Sequence, residues 1–153
     1  MRGPCVSASY FKGVGGEILN DQGFFDTGDV ATVDPLGYMQ IIDRSKDVIK
    51  SGGEWISSIE IENLVMSHPD VFEAAVIAVE HPVWQERPLL IVHAREGRKP
   101  TKAALLQFLS EKLAKWQLPD DVVFVDALPH TATGKLLKTE LRERFHGHLA
   151  VSA

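Results

Sequence analysis

The chain has 153 residues, of which 44% are hydrophobic and 24% charged, and its formal net charge is −5. A chain of this length can bury one core of ordinary size. The mildly acidic balance excludes a general nucleic-acid-binding or membrane-surface role, since both need a basic surface. The one cysteine, Cys5, cannot form an internal disulfide, and no apolar run approaches the roughly 18 residues of a membrane span. These properties favour a cytoplasmic protein without stable membrane insertion.

The first part of the chain is predicted to contain one hairpin. Residues 1–23 are rich in glycine and polar residues, which argues against a long regular element there. Val30–Val33 and Tyr38–Ile42 are predicted strands, and Asp34-Pro35-Leu36-Gly37 between them has strong turn chemistry. This part is too short and too glycine-rich to form its own core. We therefore expect residues 1–45 to be the C-terminal β tail of a larger domain that is incomplete in this chain.

The second part alternates between helices and strands. Amphipathic helices are predicted to begin near Ser57, Thr101 and Leu137. Strands are predicted at Val71–Val79, Leu89–Ala94 and Val122–Val125. Residues 46–153 are therefore expected to form a small α+β domain with a central sheet of about three main strands and flanking helices.

Three polar, glycine-containing segments stand out: Phe25–Asp29, Asp43–Ile56 and Pro129–Lys135. Each alone has a structural explanation. Thr-Gly-Asp is a common turn, a charged linker is usually solvated, and a Thr-Gly-Lys loop often precedes a helix. None has the spacing of a nucleotide-binding P-loop.

Together, in this order and spacing, the segments resemble the motifs of the acyl-adenylate-forming superfamily, which includes acyl-CoA synthetases, luciferases and peptide-synthetase adenylation domains. Phe25–Asp29 is similar to the aromatic-x-Thr-Gly-Asp motif, Asp43–Ile56 to the hinge motif with its glycine loop, and Leu128–Lys135 to the Pro-x-Thr-x-Thr-Gly-Lys motif. Lys50–Ser58 and His81–Pro88 are most similar to the medium- and long-chain fatty acyl-CoA synthetases. The resemblance implies the C-terminal end of such an enzyme, including its mobile lid domain.

The implied reaction has two halves. A carboxylate attacks the α-phosphate of ATP to give acyl-AMP and pyrophosphate, and the thiol of CoA then displaces AMP. The implied partner is the large N-terminal domain of the same enzyme, which would hold most of the ATP with its Mg²⁺ and the acyl pocket. Without that domain, the chain is expected to be inactive.

The resemblance also assigns roles on the adenylation side. Asp29 is similar to the aspartate that accepts hydrogen bonds from the ribose hydroxyls, and Arg44 to an arginine that donates to ribose or phosphate oxygens. Lys135 is similar to the lysine that offsets the repulsion between the substrate carboxylate and the phosphate. Lys46 matches the hinge position, about which the lid would rotate.

The resemblance assigns a second face of the lid domain to thioester formation. Lys50 is similar to a lysine that favours this state. Gly52 and Gly53 would lie at the CoA thiol channel, where the absence of side chains leaves room for close backbone contact. Trp55 would stack on the adenine or close the site; the alternative is that it packs against the missing domain.

Other candidates are interpreted structurally. The six histidines lack metal-ligand spacing, so no metal site is expected. Trp84 and Trp116 are expected in the core or an interface. Glu86-Arg87 could contact CoA phosphates or only each other, and a surface position is favoured.

Two alternative functions are compatible with the sequence. The first is the lid of an adenylating enzyme that loads a carrier protein, which Ser51–Trp55 weakly disfavours. The second is a non-catalytic interaction module. It is disfavoured because such a module has no use for Asp29, Arg44, Lys50 and Lys135 together.

Overall fold

The computed structural model describes residues 1–149, which contain seven β-strands and three α-helices. The chain divides into two compact units, Met1–Lys46 and a second one that begins at Asp47. Within the described residues, no helix has the length and apolar character needed to cross a membrane.

The elements are as follows. The strands are β1 (Asp29–Val33), β2 (Met39–Arg44), β3 (Ile49–Ser51), β4 (Glu54–Ile56), β5 (Val71–His81), β6 (Gln85–Ala94) and β7 (Asp121–Phe124). The helices are α1 (Ser58–Met66), α2 (Lys102–Ser110) and α3 (Lys138–Arg144). Short 3-10 turns occur at Phe11–Gly13 and Lys115–Gln117.

The first unit contains the predicted hairpin, formed by antiparallel pairing of β1 and β2. Asp29 pairs with Arg44 at its open end. At the turn, the side chain of Asp34 accepts two backbone hydrogen bonds, and Gly37 has a φ of +87°, which glycine adopts at no steric cost. None of the hydrophobic side chains of this unit is buried.

The second unit is organised around β6. This strand pairs antiparallel with β5 along its length, and on its other side with β3 at its start and β7 farther along. The β6–β7 pairing is parallel, so the five-stranded sheet is mixed. The α+β fold predicted from the sequence is confirmed. The prediction of about three main strands missed the short β3–β4 hairpin.

Both faces of this sheet are covered by helices. On one face α1 and α2 contribute Ile61, Val65, Leu105 and Leu109 to a core that includes Val76 and Leu90. On the other face α3 contributes Leu141 to a core that includes Ala75, Ile77, Leu89 and Ile91. Successive residues of β5 and β6 thus enter opposite cores. This explains why the two strands have nearly continuous apolar sequences instead of an alternating pattern.

Side-chain caps define where the first two helices begin. The Ser57 hydroxyl accepts the backbone N–H of Glu60 at 3.2 Å, and the Thr101 hydroxyl accepts that of Ala104 at 3.2 Å. Each cap satisfies one of the N–H groups that a helix start leaves without a partner. Both positions agree with the starts predicted from the sequence.

Pro88 lies inside β6, at the point where the strand changes neighbours. On the side of β6 away from β5, the strand pairs with β3 at Gln85 and with β7 from Leu89 onward. The Pro88 carbonyl accepts the N–H of Asp120 at 3.0 Å, on the β7 side. Since the N and O of a strand residue point to the same side, the missing N–H of proline faces the gap between the two neighbours. The strand therefore continues through the proline.

Candidate functional site

Asp29 and Arg44, the predicted nucleotide-binding pair, face each other across the open end of the β1–β2 hairpin. The Arg44 Nε lies 3.6 Å from the Asp29 Oδ1, and the Asp29 side chain is 26% exposed. The neighbouring Thr-Gly-Asp turn is held to the residue that follows β2, because the Gly28 carbonyl accepts the Ser45 N–H at 2.8 Å. The pair therefore presents a carboxylate and a guanidinium side by side.

The glycines predicted at a thiol channel form the turn of the β3–β4 hairpin. Gly52 and Gly53 have φ values of +58° and +92°, the pattern of a two-residue primed turn. A Cβ at Gly52 would lie 2.7 Å from Cε3 of Trp84, whereas one at Gly53 would contact nothing within 4 Å. The space above Gly52 is therefore occupied by the Trp84 ring, and the open side of the turn is at Gly53.

Three successive residues of this hairpin are anchored by the start of β6. The Lys50 N–H donates to the Glu86 carboxylate at 2.8 Å. The Gly52 N–H donates to the Trp84 carbonyl at 3.0 Å. Ser51, between them, accepts a hydrogen bond from the guanidinium of Arg87 at 3.0 Å. These contacts fix the backbone of the turn.

Arg87 is buried, with 9% of its surface exposed, so its predicted surface position is wrong. Its guanidinium also donates to the Asp120 carboxylate and to the carbonyls of Trp116 and Leu118, at 2.7–2.8 Å. Sequence reasoning missed it because the burial of an arginine depends on acceptors distant in sequence. Trp84 and Trp116 are 50% and 44% exposed, so of the predicted core or interface positions the core is wrong and the interface stays a prediction.

A pocket of about 450 Å³ lies between the glycine turn and the segment that leads into β7. Ser51, Gly52 and Trp84 line one side, Lys115 and Trp116 the other, and Arg87 is also among the lining residues. Two indole rings give this pocket apolar surface, and its charged lining residues are balanced, with Lys115 and Arg87 against Glu54 and Asp120.

Lys50 and Trp55 lie directly opposite each other in the β3–β4 pairing. Both are exposed, and 61% of the Trp55 surface is accessible. Directly opposed residues project from the same side of a sheet. The tryptophan and the lysine are therefore available on one surface next to the glycine turn.

Lys135 lies in an exposed, internally hydrogen-bonded loop between β7 and α3. Its N–H donates to the Thr131 hydroxyl at 3.1 Å and its carbonyl accepts the Thr131 N–H at 2.8 Å. Gly134 has a φ of +79°, which permits the tight turn before the lysine. The loop is anchored where the His130 ring contacts the Glu73 carboxylate at 2.7 Å.

The two predicted catalytic lysines are associated with opposite ends of the β5–β6 hairpin. Lys50 is held by Glu86, which pairs with Glu80, whereas the Lys135 loop is held at Glu73. Glu80 lies seven positions after Glu73 in β5, which corresponds to ~23 Å along the strand.

Asp121, the first residue of β7, has a strongly lowered pKa. Burial acts against its ionisation, but hydrogen bonds from Lys102, His148 and the Val122 N–H, with the Lys102 charge, outweigh burial and lower its pKa to about 2. Asp121 is hydrogen-bonded to Lys102 at 2.7 Å and to the His148 ring at 2.8 Å. These contacts tie β7 to α2 and to the end of the described chain.

Among the described residues, no group of three or more His, Cys, Asp or Glu side chains could hold a metal ion.

Lys46, the predicted hinge residue, is the last residue of the first unit.

The mixed sheet with helices on both faces and a C-terminal Thr-Gly-Lys loop defines a class of small α+β domain found in adenylate-forming enzymes. Residues 60–135 match the family model of the AMP-binding enzyme C-terminal domain. This part of the chain therefore belongs to that family, and the resemblance stated from the sequence motifs is confirmed.

Curated relatives are similar over almost the whole chain. It is 60% identical over 145 residues to the 3-methylmercaptopropionyl-CoA ligase of Ruegeria lacuscaerulensis, covering 95% of this chain and 27% of that protein. It is 49% identical over 151 residues to the long-chain-fatty-acid–CoA ligase of Thermus thermophilus, covering 97% and 28%. The chain thus spans little more than a quarter of the length of these relatives.

A solved structure supports the same fold. The o-succinylbenzoate-CoA synthetase of Bacillus subtilis, in complex with its acyl-adenylate intermediate, matches with a TM-score of 0.82 and 35% identity. The match covers 92% of this chain and 29% of that protein.

Proposed function

We propose that this chain is the C-terminal part of an acid–thiol ligase. The ligase would activate a carboxylic acid, preferably a fatty acid, with ATP to acyl-AMP and transfer the acyl group to CoA. A large domain would bind the acyl chain and most of the ATP with its Mg²⁺, so that the chain alone is inactive. The similarity to CoA ligases over 94–97% of the chain supports this reaction.

We further propose that residues 1–45 are the end of that large domain and residues 46–153 its lid. Lys46 would then act as the hinge, since a few backbone torsions there suffice to rotate the lid. The exposed thiol of Cys5 is consistent with a reducing compartment such as the cytoplasm.

The observation that supports two half-reactions best is the separation of Lys50 from the Lys135 loop. Glu86, which accepts the Lys50 N–H, pairs with Glu80, and Glu80 lies ~23 Å along β5 from Glu73, which anchors the Lys135 loop. This spacing of the anchoring residues favours presentation of the two lysines at different places on the lid. Each lysine would therefore serve a different half-reaction.

In adenylation, the reacting partners are a carboxylate and a phosphate, both anionic. The Lys135 ammonium would offset their repulsion and the charge that develops as the bond to phosphorus forms. Asp29 would accept hydrogen bonds from the ribose hydroxyls, while Arg44 donates to ribose or phosphate oxygens.

In thioester formation, the turn at Gly52 and Gly53 would line the path of the CoA thiol. The side of the turn at Gly53 is open, which suits close backbone contact with a thin pantetheine chain. Lys50 would favour this state, and Trp55, exposed beside it, would stack on the adenine.

The complete ligase, with this chain joined to its large domain, provides the test. Acyl-AMP formation and its consumption by CoA would be measured separately in single turnovers. Lys135→Ala should slow adenylation by roughly a hundredfold while sparing thioester formation from preformed acyl-AMP. Lys50→Ala should slow thioester formation while sparing adenylation. Lys99→Ala, an exposed lysine outside the proposed site, is the matched control.

Equal loss of both half-reactions in both variants would refute the split roles. Transfer of the acyl group to a phosphopantetheinylated carrier protein, with none to CoA, would replace the proposed reaction by carrier loading. Formation of acyl-CoA by the 153-residue chain alone would refute the requirement for a large domain.

A further inference from the structure

Arg87 is a buried charge with no assigned role. Its side chain is 11% exposed, and removing a guanidinium from water is costly unless its donors find partners. A side chain with this degree of burial is unsuited to capture a ligand from solution by its charge. Its position calls for another explanation.

The guanidinium joins the two sides of the 450 Å³ pocket. On one side it donates to the hydroxyl of Ser51, the residue directly before the glycine turn, at 3.0 Å. On the other side it donates to the Trp116 and Leu118 carbonyls at 2.7 and 2.8 Å. One rigid, planar group thus sets the separation between the turn and the segment entering β7.

Asp120 neutralises this arginine. Its carboxylate accepts from Nε at 2.8 Å and lies 2.7 Å from Nη2. Both contacts are made to the same oxygen, Oδ1, so the carboxylate balances the guanidinium charge and disfavours its use for a phosphate or carboxylate of a ligand. The contacts are therefore those of a group that positions backbone.

We propose that Arg87 is a positioning residue for thioester formation, holding the Ser51–Gly53 turn at the correct distance from Trp116 so that the CoA thiol can approach. The proposal rests on the proposed function. Adenylation, assigned to the opposite end of the hairpin, does not depend on this spacing. Lysine cannot replace Arg87, since one ammonium cannot reach acceptors on both sides of the pocket in the same geometry.

The test uses the complete ligase and the variants Arg87→Lys, Ser51→Ala and Arg98→Lys. Arg98 is exposed and lies near Asp70, before β5, so it controls for the loss of a guanidinium. We expect Arg87→Lys to raise the KM for CoA and slow thioester formation by roughly ten- to a hundredfold, because small misplacements near reacting groups have effects of this size. The rate of acyl-AMP formation should change less than about twofold. Ser51→Ala, which removes a single contact to the turn, should show a smaller effect in the same direction.

A general loss of structure would slow both half-reactions, so melting temperatures are measured for each variant. If Arg87→Lys does not fold, the two half-reaction rates of Ser51→Ala test the proposal in its place. Equal slowing of both half-reactions, or an unchanged KM for CoA, overturns the role of Arg87 alone. A wild-type ligase that makes no acyl-CoA refutes the proposed function instead, so the two failures are distinguishable.

Discussion

The ring of Trp84 occupies the position that a Cβ of residue 52 would need, only 2.7 Å from its Cε3 atom. Gly52 is therefore required for two reasons, its φ of +58° and the ring above it. Gly53 is required only for its φ of +92°, since its Cβ position is open. Comparing substitutions at the two adjacent glycines therefore separates the cost of backbone strain from the cost of steric contact with the Trp84 ring.

We predict that Gly52→Ala destabilises the chain more than Gly53→Ala does. Gly53→Ala should lower the free energy of unfolding by about 1–2 kcal/mol from backbone strain. Gly52→Ala adds the displacement of the ring, roughly 1 kcal/mol more. Thermal unfolding measures the difference, and tryptophan fluorescence should shift for Gly52→Ala alone. Equal melting temperatures with unchanged spectra would show that the ring does not lie against the turn.

We predict that Asp121 stabilises the fold above pH 4 and not in strong acid. Its pKa is lowered from 3.8 to about 2, so its contribution is present above 3.8 and is lost as the pH falls toward 2. Allowing for solvent screening, Asp121→Asn should cost about 1–2 kcal/mol at pH 7 and almost nothing near pH 2. Urea unfolding at several pH values tests this. Asp126→Asn, at an exposed carboxylate, is the matched control.

We predict that Lys138 stabilises the edge of the sheet. β5 is an edge strand, and the N–H of Val76 donates to the Glu62 carboxylate at 2.7 Å. Lys138 lies 2.7 Å from the same carboxylate, and both side chains are about seven-eighths buried, at 12% and 13% exposed. Lys138→Met removes the cation from a buried carboxylate and should cost about 2–4 kcal/mol in unfolding experiments.

The matched control for Lys138 is Lys102→Met. Lys102 also has a carboxylate partner at 2.7 Å, but 55% of its side chain is exposed. An exposed pair contributes roughly 0–1 kcal/mol, so this variant should unfold nearly like the wild type. If the two variants lost equal stability, burial would not be what makes the Lys138 pair important.

We predict that Asp29→Asn weakens ATP binding by the complete ligase about tenfold. An amide keeps one acceptor oxygen but loses the charge-assisted hydrogen bonds that a carboxylate accepts. Calorimetric titration with ATP measures the change, and Asp21→Asn, at an exposed position of the same unit, serves as the control. Unchanged affinity would remove Asp29 from the proposed nucleotide site.

The helices and main strands were predictable because their signals are local. Ser57 and Thr101 cap helices through neighbours three residues away, and the apolar run of β5 is long enough to identify. The strand predicted at Leu89–Ala94 begins four residues earlier, at Gln85, and includes Pro88, a residue type that normally interrupts a strand. Whether Pro88 does so depends on which neighbour lies beside it, and that is decided by the tertiary fold.

The glycine turn was recognised, but its two flanking strands were not. β3 and β4 have three residues each, too few for an alternating pattern to be detected. The Gly-Gly pair between them is a hairpin signal that could have indicated them. Arg87 had no such signal, because its acceptors at Ser51 and Asp120 are 36 and 33 residues away.

The length of the β5–β6 hairpin has a consequence for how this domain can vary. Because successive residues enter opposite cores, inserting a single residue in a strand would exchange the residues that face the two helix layers. Only insertions or deletions of two residues in each strand preserve both cores, and each changes the hairpin length by ~7 Å. The distance between the two anchored lysine-bearing segments can therefore change only in steps, not gradually, and the fold itself sets the size of the step.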